Sequence, residues 1–322
     1  VFFGGGTPSL FSAGEIARLL EGLRARAPFA ADAEITLEAN PGTVERGAFA
    51  GYRAAGITRV SLGAQSFDAR ALAALGRIHS PVETIAAVAE LRAAGIDDFN
   101  LDLMYGLPGQ TPTEALADVA AACALGPTHL SHYQLTLEPG TPFHARPPAL
   151  PGEEDTWTMQ VECQRALADA GFRQYEVSAY ARDGARCRHN LNYWQFGDYV
   201  GIGAGAHGKL SEELPARIRR SAKPRLPGAY LAAFAAGPGP CGERGAIAES
   251  ALPFEFMLNA LRLVDGFDAA QFEARTGLDL GRIAATLAAA ERRGLLGPRP
   301  GGWRPTELGH RFLNDLQAAF LD

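Results

Sequence analysis

The feature that most restricts the fold is the alternation, through the first half of the chain, of short β-rich runs with Ala-, Leu- and Arg-rich segments of helical period. The β-rich runs are Val1–Phe3, Ile35–Glu38, Arg59–Ala64, Asp98–Met104 and His129–Thr136. Between them lie Ser12–Arg26, Thr43–Ala55, Val82–Ala94 and Thr113–Leu125, with apolar residues at helical spacing. Ser12 with Glu15 and Thr111 with Glu114 have the spacing of reciprocal N-terminal caps. Gly56, Gly95 and Gly126 stand just past helix ends, where a left-handed cap favours glycine. Strand and helix in succession imply βαβ units and a parallel sheet.

Polar residues close each run. Gly4–Thr7 follow the first, Glu38 and Asn40 the second, and Gln65 the third. Asp102 lies in the fourth, Tyr133 and Gln134 in the fifth, and a later run, Gln174–Ser178, adds Glu176 and Ser178. In (β/α) barrels the reactive groups gather at the C-terminal strand ends, so the pattern predicts a single polar cup. The plainer reading is that these groups only satisfy backbone at loop starts. Beyond about Pro147 the rhythm changes. Glu153–Ala170 is expected to be one long amphipathic helix, followed by an aromatic and basic stretch, Gln174–Gly208. Residues 221–248, rich in Pro, Gly and Ala, are expected to be a linker. Residues 249–322 are expected to form a C-terminal, mostly helical, winged-helix-like domain, with helices at Phe254–Leu263, Ala269–Thr276 and Arg282–Arg293 and a closing segment Thr306–Phe320.

The 322 residues carry 30 Lys and Arg against 36 Asp and Glu, a formal charge of −6. That balance, with no basic recognition helix, argues against a nucleic-acid partner. No run of about 18 apolar residues offers a membrane span, and no signal peptide is recognised, so a cytoplasmic location is expected. Cys123, Cys163, Cys187 and Cys241 follow no zinc or iron–sulfur spacing. Cys123 and Cys163 fall in Ala-rich helical stretches and read as inert core thiols.

Gly4-Gly5-Gly6-Thr7-Pro8 places side-chain-free backbone at a strand end, where a ligand can lie against it; tight turns use glycine too. Glu38 and Asp102 are carboxylates on apolar strands, costly to bury unless paired. Gln65 and Arg77 fall in Ser-Leu-Gly-Ala-Gln-Ser-Phe-Asp and Leu-Gly-Arg-Ile-His. The order Gly-Gly-Gly-Thr-Pro (4–8), Leu-Glu-Ala-Asn-Pro (37–41), Leu-Gly-Ala-Gln-Ser-Phe (62–67), Leu-Gly-Arg-Ile-His (75–79) and Asp-Leu-Met-Tyr-Gly-Leu-Pro-Gly-Gln (102–110) resembles radical S-adenosylmethionine (radical SAM) proteins of the oxygen-independent coproporphyrinogen III oxidase group. Within that group His189-Asn190-Leu191-Asn192-Tyr193-Trp194 resembles the His-Asn-x-x-Tyr-Trp signature of HemW-type haem chaperones. The resemblance covers nearly the whole chain.

It implies an α/β fold, a radical SAM partial (β/α) barrel incomplete at its N-terminus, with barrel and haem-family segment over residues 1–220. It implies that Gly6 and Thr7 meet the methionyl part of S-adenosylmethionine and that Glu38 takes its amino or ribose groups. Gly5, Gln65, Arg77 and Asp102 would line a second S-adenosylmethionine position. The chemistry agrees, since a sulfonium with an α-amino group suits carboxylates and open carbonyls, and an α-carboxylate suits Arg. The family also holds a [4Fe–4S] cluster through Cys-x3-Cys-x2-Cys upstream of the glycines, a motif this chain lacks. The expectation is that cluster cysteines lie before Val1 in a longer protein, and that these 322 residues alone do not bind the cluster. The implied function is haem chaperone, binding haem and handing it to acceptor haemoproteins, with any contact to membrane haem enzymes peripheral. The alternatives are the oxidase itself, which decarboxylates propionates by radical chemistry, and an inactive fragment. His189, beside Arg186, Cys187 and Arg188, is a haem-ligand candidate; equally, His189-Asn190 could cap a turn while Tyr193 and Trp194 pack in a core. His207 is a second candidate. Residues 203–208 fit Gly-x-Gly-x-x-Gly, but no amphipathic helix follows, which argues against a dinucleotide site.

Overall fold

A computed structural model describes residues 1–43, 48–212, 217–235 and 242–321. They form two compact units, Val1–His189 and Asn190–Asp322.

The first unit is a seven-stranded sheet. Its strands are β1 (Phe2–Phe3), β2 (Thr36–Ala39), β3 (Arg59–Gln65), β4 (Phe99–Tyr105), β5 (His129–Gln134), β6 (Arg173–Glu176) and β7 (Ala179–Ala181), in the spatial order β1-β2-β3-β4-β5-β7-β6. β1 to β5 are parallel neighbours. Helices α1 (Ala13–Arg24), α2 (Ala48–Ala55), α3 (Ala69–Ala74), α4 (Pro81–Ala93) and α5 (Pro112–Ala124) fill the crossovers. The short α6 (Pro142–Ala145) and the long α7 (Glu153–Asp169) lead to the edge hairpin. The Ser12–Glu15 and Thr111–Glu114 capping boxes are both formed, and Ser80 with Glu83 makes a third on α4.

The strands bury one face and keep the other polar. Leu37, Val60, Leu62, Leu101, Leu103 and Leu130 point outward into the core under the helices. Truncating such a Leu to Ala costs about 2–5 kcal/mol. The alternate residues Glu38, Ser61, Gly63, Asn100, Asp102, His129 and Ser131 face inward, as the period of two requires. Parallel strands covered on both faces are apolar throughout; these alternate because their inner face lines a cup. Tyr133 on β5 donates its hydroxyl to Gln65 Oε1 on β3 at 2.9 Å. Strands two apart lie about 9.6 Å from one another, so that bond across β4 requires a concave sheet.

Four stretches carry structure that the sequence pattern does not specify. The run Gln174–Ser178 is reached through an antiparallel neighbour: β7 lies between β5 and the edge strand β6, so β6 runs parallel to β5 and carries Glu176 and Ser178 toward the same end of the sheet, where the Ser178 carbonyl accepts from the His132 amide at 2.8 Å. A helix absent from the sequence reading, α3, forms because Asp68 caps the Arg70 and Ala71 amides at 2.8 and 2.9 Å. The basic and aromatic stretch contains helix α8 (Arg188–Trp194). Among the described residues of 221–248, Pro227–Ala235 are helical and Gly242–Ala246 form a strand, and the two compact units meet in sequence after His189.

In the second unit, β8 (His207–Glu212), β9 (Arg217–Ala222) and β10 (Gly242–Ala246) form an antiparallel sheet, with α9 (Pro227–Ala235) between the last two. Helices α10 (Leu252–Ala260), α11 (Ala269–Thr276) and α12 (Ala284–Arg292) pack with β11 (Phe267–Asp268), β12 (Leu296–Arg299) and β13 (Gly302–Pro305) around Phe256, Phe267 and Phe272. The closing segment is two helices, α13 (Glu307–Arg311) and α14 (Leu313–Ala318). Helices followed by a β12–β13 ribbon match the winged-helix-like reading. Among the described residues no helix is long and apolar enough to cross a membrane.

Candidate functional site

The C-terminal ends of β1 to β4 enclose a cleft of about 200 Å3, lined by Gly6, Thr7, Pro8, Glu38, Ala39, Asn40, Ser61, Gly63, Gln65, Arg77 and Asp102. Six of the seven residues singled out for S-adenosylmethionine therefore share one space. The seventh, Gly5, touches it through its amide, which donates to Glu38 Oε2 at 3.0 Å. Gly5 and Gly6 have φ of +80° and +57°, a left-handed pair that only glycine adopts without strain. The turn aims the Gly5 amide back at Glu38.

Arg77 reaches the cleft from the segment after α3. It donates to Asn40 Oδ1 at 3.3 Å, and Asn40 in turn donates to Thr7 Oγ1 at 3.4 Å. Buried His79 pins the segment, its Nε2 lying 3.1 Å from the Ala64 carbonyl. Gln65 adopts φ +65° at an irregularity in the β3–β4 pairing. A non-glycine residue there is strained, and the turn directs its amide toward Tyr133. Gly63 lies opposite: a Cβ on it would stand 2.9 Å from Gln65 Nε2 and 3.0 Å from Asn40 Oδ1.

The carboxylates are poised unequally. Burial raises the Glu38 pKa; the Gly5 amide opposes the shift and the Asp102 charge adds to it. Burial also raises Asp102, against the pull of Asn100, Ser131 and Ser61 and of the Arg77 charge. Ser61 Oγ donates to Asp102 Oδ2 at 3.1 Å and Asn100 Nδ2 to Oδ1 at 2.8 Å. Two carboxylates, a guanidinium and open glycine backbone form a donor and acceptor set for a zwitterionic, cationic ligand.

Residues 1–121 match the Radical SAM superfamily, and residues 248–312 the HemN C-terminal domain. The chain is 47% identical to Heme chaperone HemW of Escherichia coli (strain K12), covering 100% of this chain and 83% of that protein. It is 45% identical to Heme chaperone HemW of Haemophilus influenzae, covering 100% and 82%. The chain belongs to the HemW family of radical SAM proteins. Its fold is that of coproporphyrinogen III oxidase (HemN) from Escherichia coli, a radical SAM enzyme, with a TM-score of 0.82 at 22% identity over 99% of this chain and 77% of that one.

The HemW-type cleft fits S-adenosylmethionine by its donor set. The described cysteines do not gather at it: Cys123 is on α5, Cys163 on α7 and Cys187 just before α8. Burial raises the Cys123 thiol and pushes Cys163 up to about 12, so these two behave as core thiols. Cys241 lies outside the described residues.

His189 lies elsewhere in the first unit. Its ring stacks on Phe2 at 4.1 Å, and its amide donates to Glu34 Oε1 at 3.4 Å, near the N-terminal end of β2. Burial lowers its pKa to about 4, so the imidazole is neutral at neutral pH. Further along the signature, Tyr193 packs against Tyr199 at 4.3 Å and Arg262 lies 4.2 Å from the Trp194 ring. His207 opens β8 and is exposed. Residues 203–208 lead into that strand and into no helix.

The sequence passes over Ser61, Gly63 and Asn100 as site residues, and the period of two puts His129 on the Tyr133 face of its strand without assigning it any chemistry. The inward alternation within Arg-Val-Ser-Leu-Gly-Ala-Gln and Phe-Asn-Leu-Asp-Leu-Met is the local signal that marks the first three.

Proposed function

We propose that the chain binds S-adenosylmethionine in the cleft at the ends of β1 to β4 and acts as a haem chaperone, binding haem and delivering it to acceptor haemoproteins from a cytoplasmic location. The observation that carries the reading is the convergence of Gly6, Thr7, Glu38, Gln65, Arg77 and Asp102 on one cleft, in a chain alike over its whole length to heme chaperones. Arg77 would take the ligand's α-carboxylate, and Glu38 or Asp102 its α-amino group or ribose hydroxyls. The Gly5–Gly6 backbone would lie along the methionyl chain. Whether one ligand or two occupy the cleft is read from the titration stoichiometry. His189 is proposed as a haem ligand, a role that its neutral imidazole permits. The [4Fe–4S] cluster of the family would draw its cysteines from a segment other than these 322 residues.

Calorimetric titration with S-adenosylmethionine tests the cleft: Arg77→Met should weaken binding about tenfold or more, the loss of a charge-assisted contact. No binding by the unaltered protein overturns the assignment. Titration with haem should produce a shifted Soret band that His189→Ala changes; an identical band removes His189 from the haem site. Vinyl product from coproporphyrinogen, with the reconstituted full-length protein, would favour the oxidase over the chaperone. Iron–sulfur absorbance after reconstitution of residues 1–322 would contradict the external source of cluster cysteines.

A further inference from the structure

Behind Asp102 a row of inward side chains crosses the sheet at one level. Register places Glu38 beside Ser61, Ser61 beside Asn100, and Asn100 beside His129. The hydrogen bonds along the row have one consistent sense. Asn100 Nδ2 lies 2.8 Å from both Ser61 Oγ and Asp102 Oδ1. An ionised carboxylate only accepts, so the Asn100 amide nitrogen faces Asp102 and its Oδ1 faces away. That oxygen meets His129 Nδ1 at 2.7 Å and the Ser131 hydroxyl at 3.2 Å. His129 Nδ1 must therefore carry the proton, and Nε2 accepts from the Tyr175 hydroxyl at 2.8 Å. His129 and Tyr175 are 1% and 0% exposed, so water does not compete for these bonds.

We propose that His129, its Nδ1–H directed at Asn100 Oδ1 and its Nε2 braced by the Tyr175 hydroxyl, is a positioning residue that holds the Asn100 amide with its nitrogen on Asp102, and thereby sets the geometry and charge of the cleft carboxylate. The proposal deepens the S-adenosylmethionine reading and rests on it for the identity of the ligand. A buried His between two fixed partners has a specific chemistry: it cannot rotate without stranding both. If Nδ1 lost its proton to Nε2, Asn100 Oδ1 would face a lone pair and the amide would turn over. Asp102 would then exchange a donor at 2.8 Å for a carbonyl oxygen. Burial keeps the His129 pKa well below its ordinary value, with the Arg59 charge adding to the shift, so the ring stays neutral through the physiological range and its hydrogen-bond partners select the tautomer. The titratable groups facing Asp102 itself are Glu38, Arg77 and Tyr133. None of them contacts His129 in the row, so changes at His129 reach Asp102 through Asn100.

The test compares two amides. His129→Asn can return an N–H near the Nδ1 position, while His129→Gln presents its amide near the Nε2 position and leaves Asn100 Oδ1 without that donor. Two measurements are made on the whole chain: the Asp102 carboxyl titration by carbon-13 NMR, which needs no ligand, and S-adenosylmethionine affinity by calorimetry. His129→Gln should raise the Asp102 midpoint by about one unit, because a carboxylate loses a donor, and weaken the ligand about tenfold. His129→Asn should restore both to within about threefold of the unaltered protein. Nitrogen-15 shifts of the unaltered protein should report Nδ1 protonated. An unchanged Asp102 midpoint in His129→Gln, or an Nε2–H tautomer in the unaltered protein, overturns the proposal whatever the ligand. If the midpoints move as expected and no variant binds S-adenosylmethionine, the positioning role stands and the ligand assignment falls. Should His129→Gln not fold, Tyr175→Phe carries the test. It removes the hydroxyl on Nε2 and should raise the Asp102 midpoint by about half a unit; no movement refutes the coupling.

Discussion

Replacing Arg59 by Met should release the segment 185–189 while leaving the sheet intact. Arg59 begins β3 and is 2% exposed. Both of its terminal nitrogens donate to the Ala185 carbonyl at 3.2 Å, and Nη1 also lies 3.3 Å from Asp98 Oδ2 and 3.6 Å from Glu34 Oε2. Glu34 in turn accepts from the Arg188 and His189 amides at 3.1 and 3.4 Å. The guanidinium is thus the buried cation on which two carboxylates and one carbonyl converge. Removing one partner of a buried pair costs about 3–5 kcal/mol. Asp98 is 41% exposed and can turn to water, whereas Glu34 is 12% exposed and cannot do so without moving; the lower end, about 3 kcal/mol, is therefore expected. Because the chain has two units, a single global unfolding energy is a poor readout. Native-state hydrogen exchange is better suited. At about 1.4 kcal/mol per decade, the Arg188 and His189 amides should exchange about 100-fold faster in Arg59→Met. Leu37 and Leu62 amides in the sheet should change little. Arg59→Lys keeps the charge but not the two-nitrogen grip on Ala185, and should fall between. Exchange at residues 188 and 189 within threefold of the unaltered protein would refute the account.

Other outcomes follow from the same structure. Gly63→Ala would push the Gln65 amide and Asn40 into the cleft, so S-adenosylmethionine affinity should fall about tenfold with a small change in melting temperature; an equal Kd by calorimetry would show the cleft tolerates the methyl. His132 is buried with its pKa lowered to about 4 from 6.5. Its neutral form is the one the fold favours, so its contribution is fully present above pH 6.5 and is lost as pH falls toward 4, by roughly 3 kcal/mol. Burial raises Asp102 and Asp118, which has the opposite sign and softens the acid limb. Urea midpoints of the first unit, followed by hydrogen exchange at its strand amides from pH 7 to 4, should fall less steeply in His132→Gln. With Cys163 pushed up to about 12, iodoacetamide at neutral pH should leave it unlabelled in the native protein and label it after unfolding, as read by peptide mass spectrometry.

Much of the first unit was legible in the sequence because the information is local. Capping boxes at Ser12 and Thr111 and the strand runs depend on residues within a few positions of one another. The gathering of Glu38, Gln65 and Asp102 was legible as well, since each lies on its own strand, whereas Arg77, on the segment after α3, was singled out only by the family resemblance. The β6–β7 hairpin was not, since Gln174–Glu176 reads the same whether its neighbour is parallel or antiparallel. Helix α3 rests on one Asp68 side chain, and α8 lies in a stretch whose aromatic and basic residues mask any period. The Ser61–Asn100–His129 row depends on register among strands about 30 to 40 residues apart, which no local pattern encodes. The polar alternation in β3 and β4 was visible all the same, and it marks an inner face that a fully covered parallel sheet would not have.

Gln65 carries a further consequence. Its left-handed backbone is held in place for the sake of a side chain that reaches into the cleft and meets Tyr133. Glycine at that position would relax the main chain by about 1 kcal/mol. The same substitution would empty the place of a buried side chain and strand the Tyr133 hydroxyl, at a cost of about 1–3 kcal/mol, so the relief does not offset the loss. At this residue robustness and recognition pull the same way, and a library screened only for survival on heating should keep the glutamine, and with it one wall of the cup.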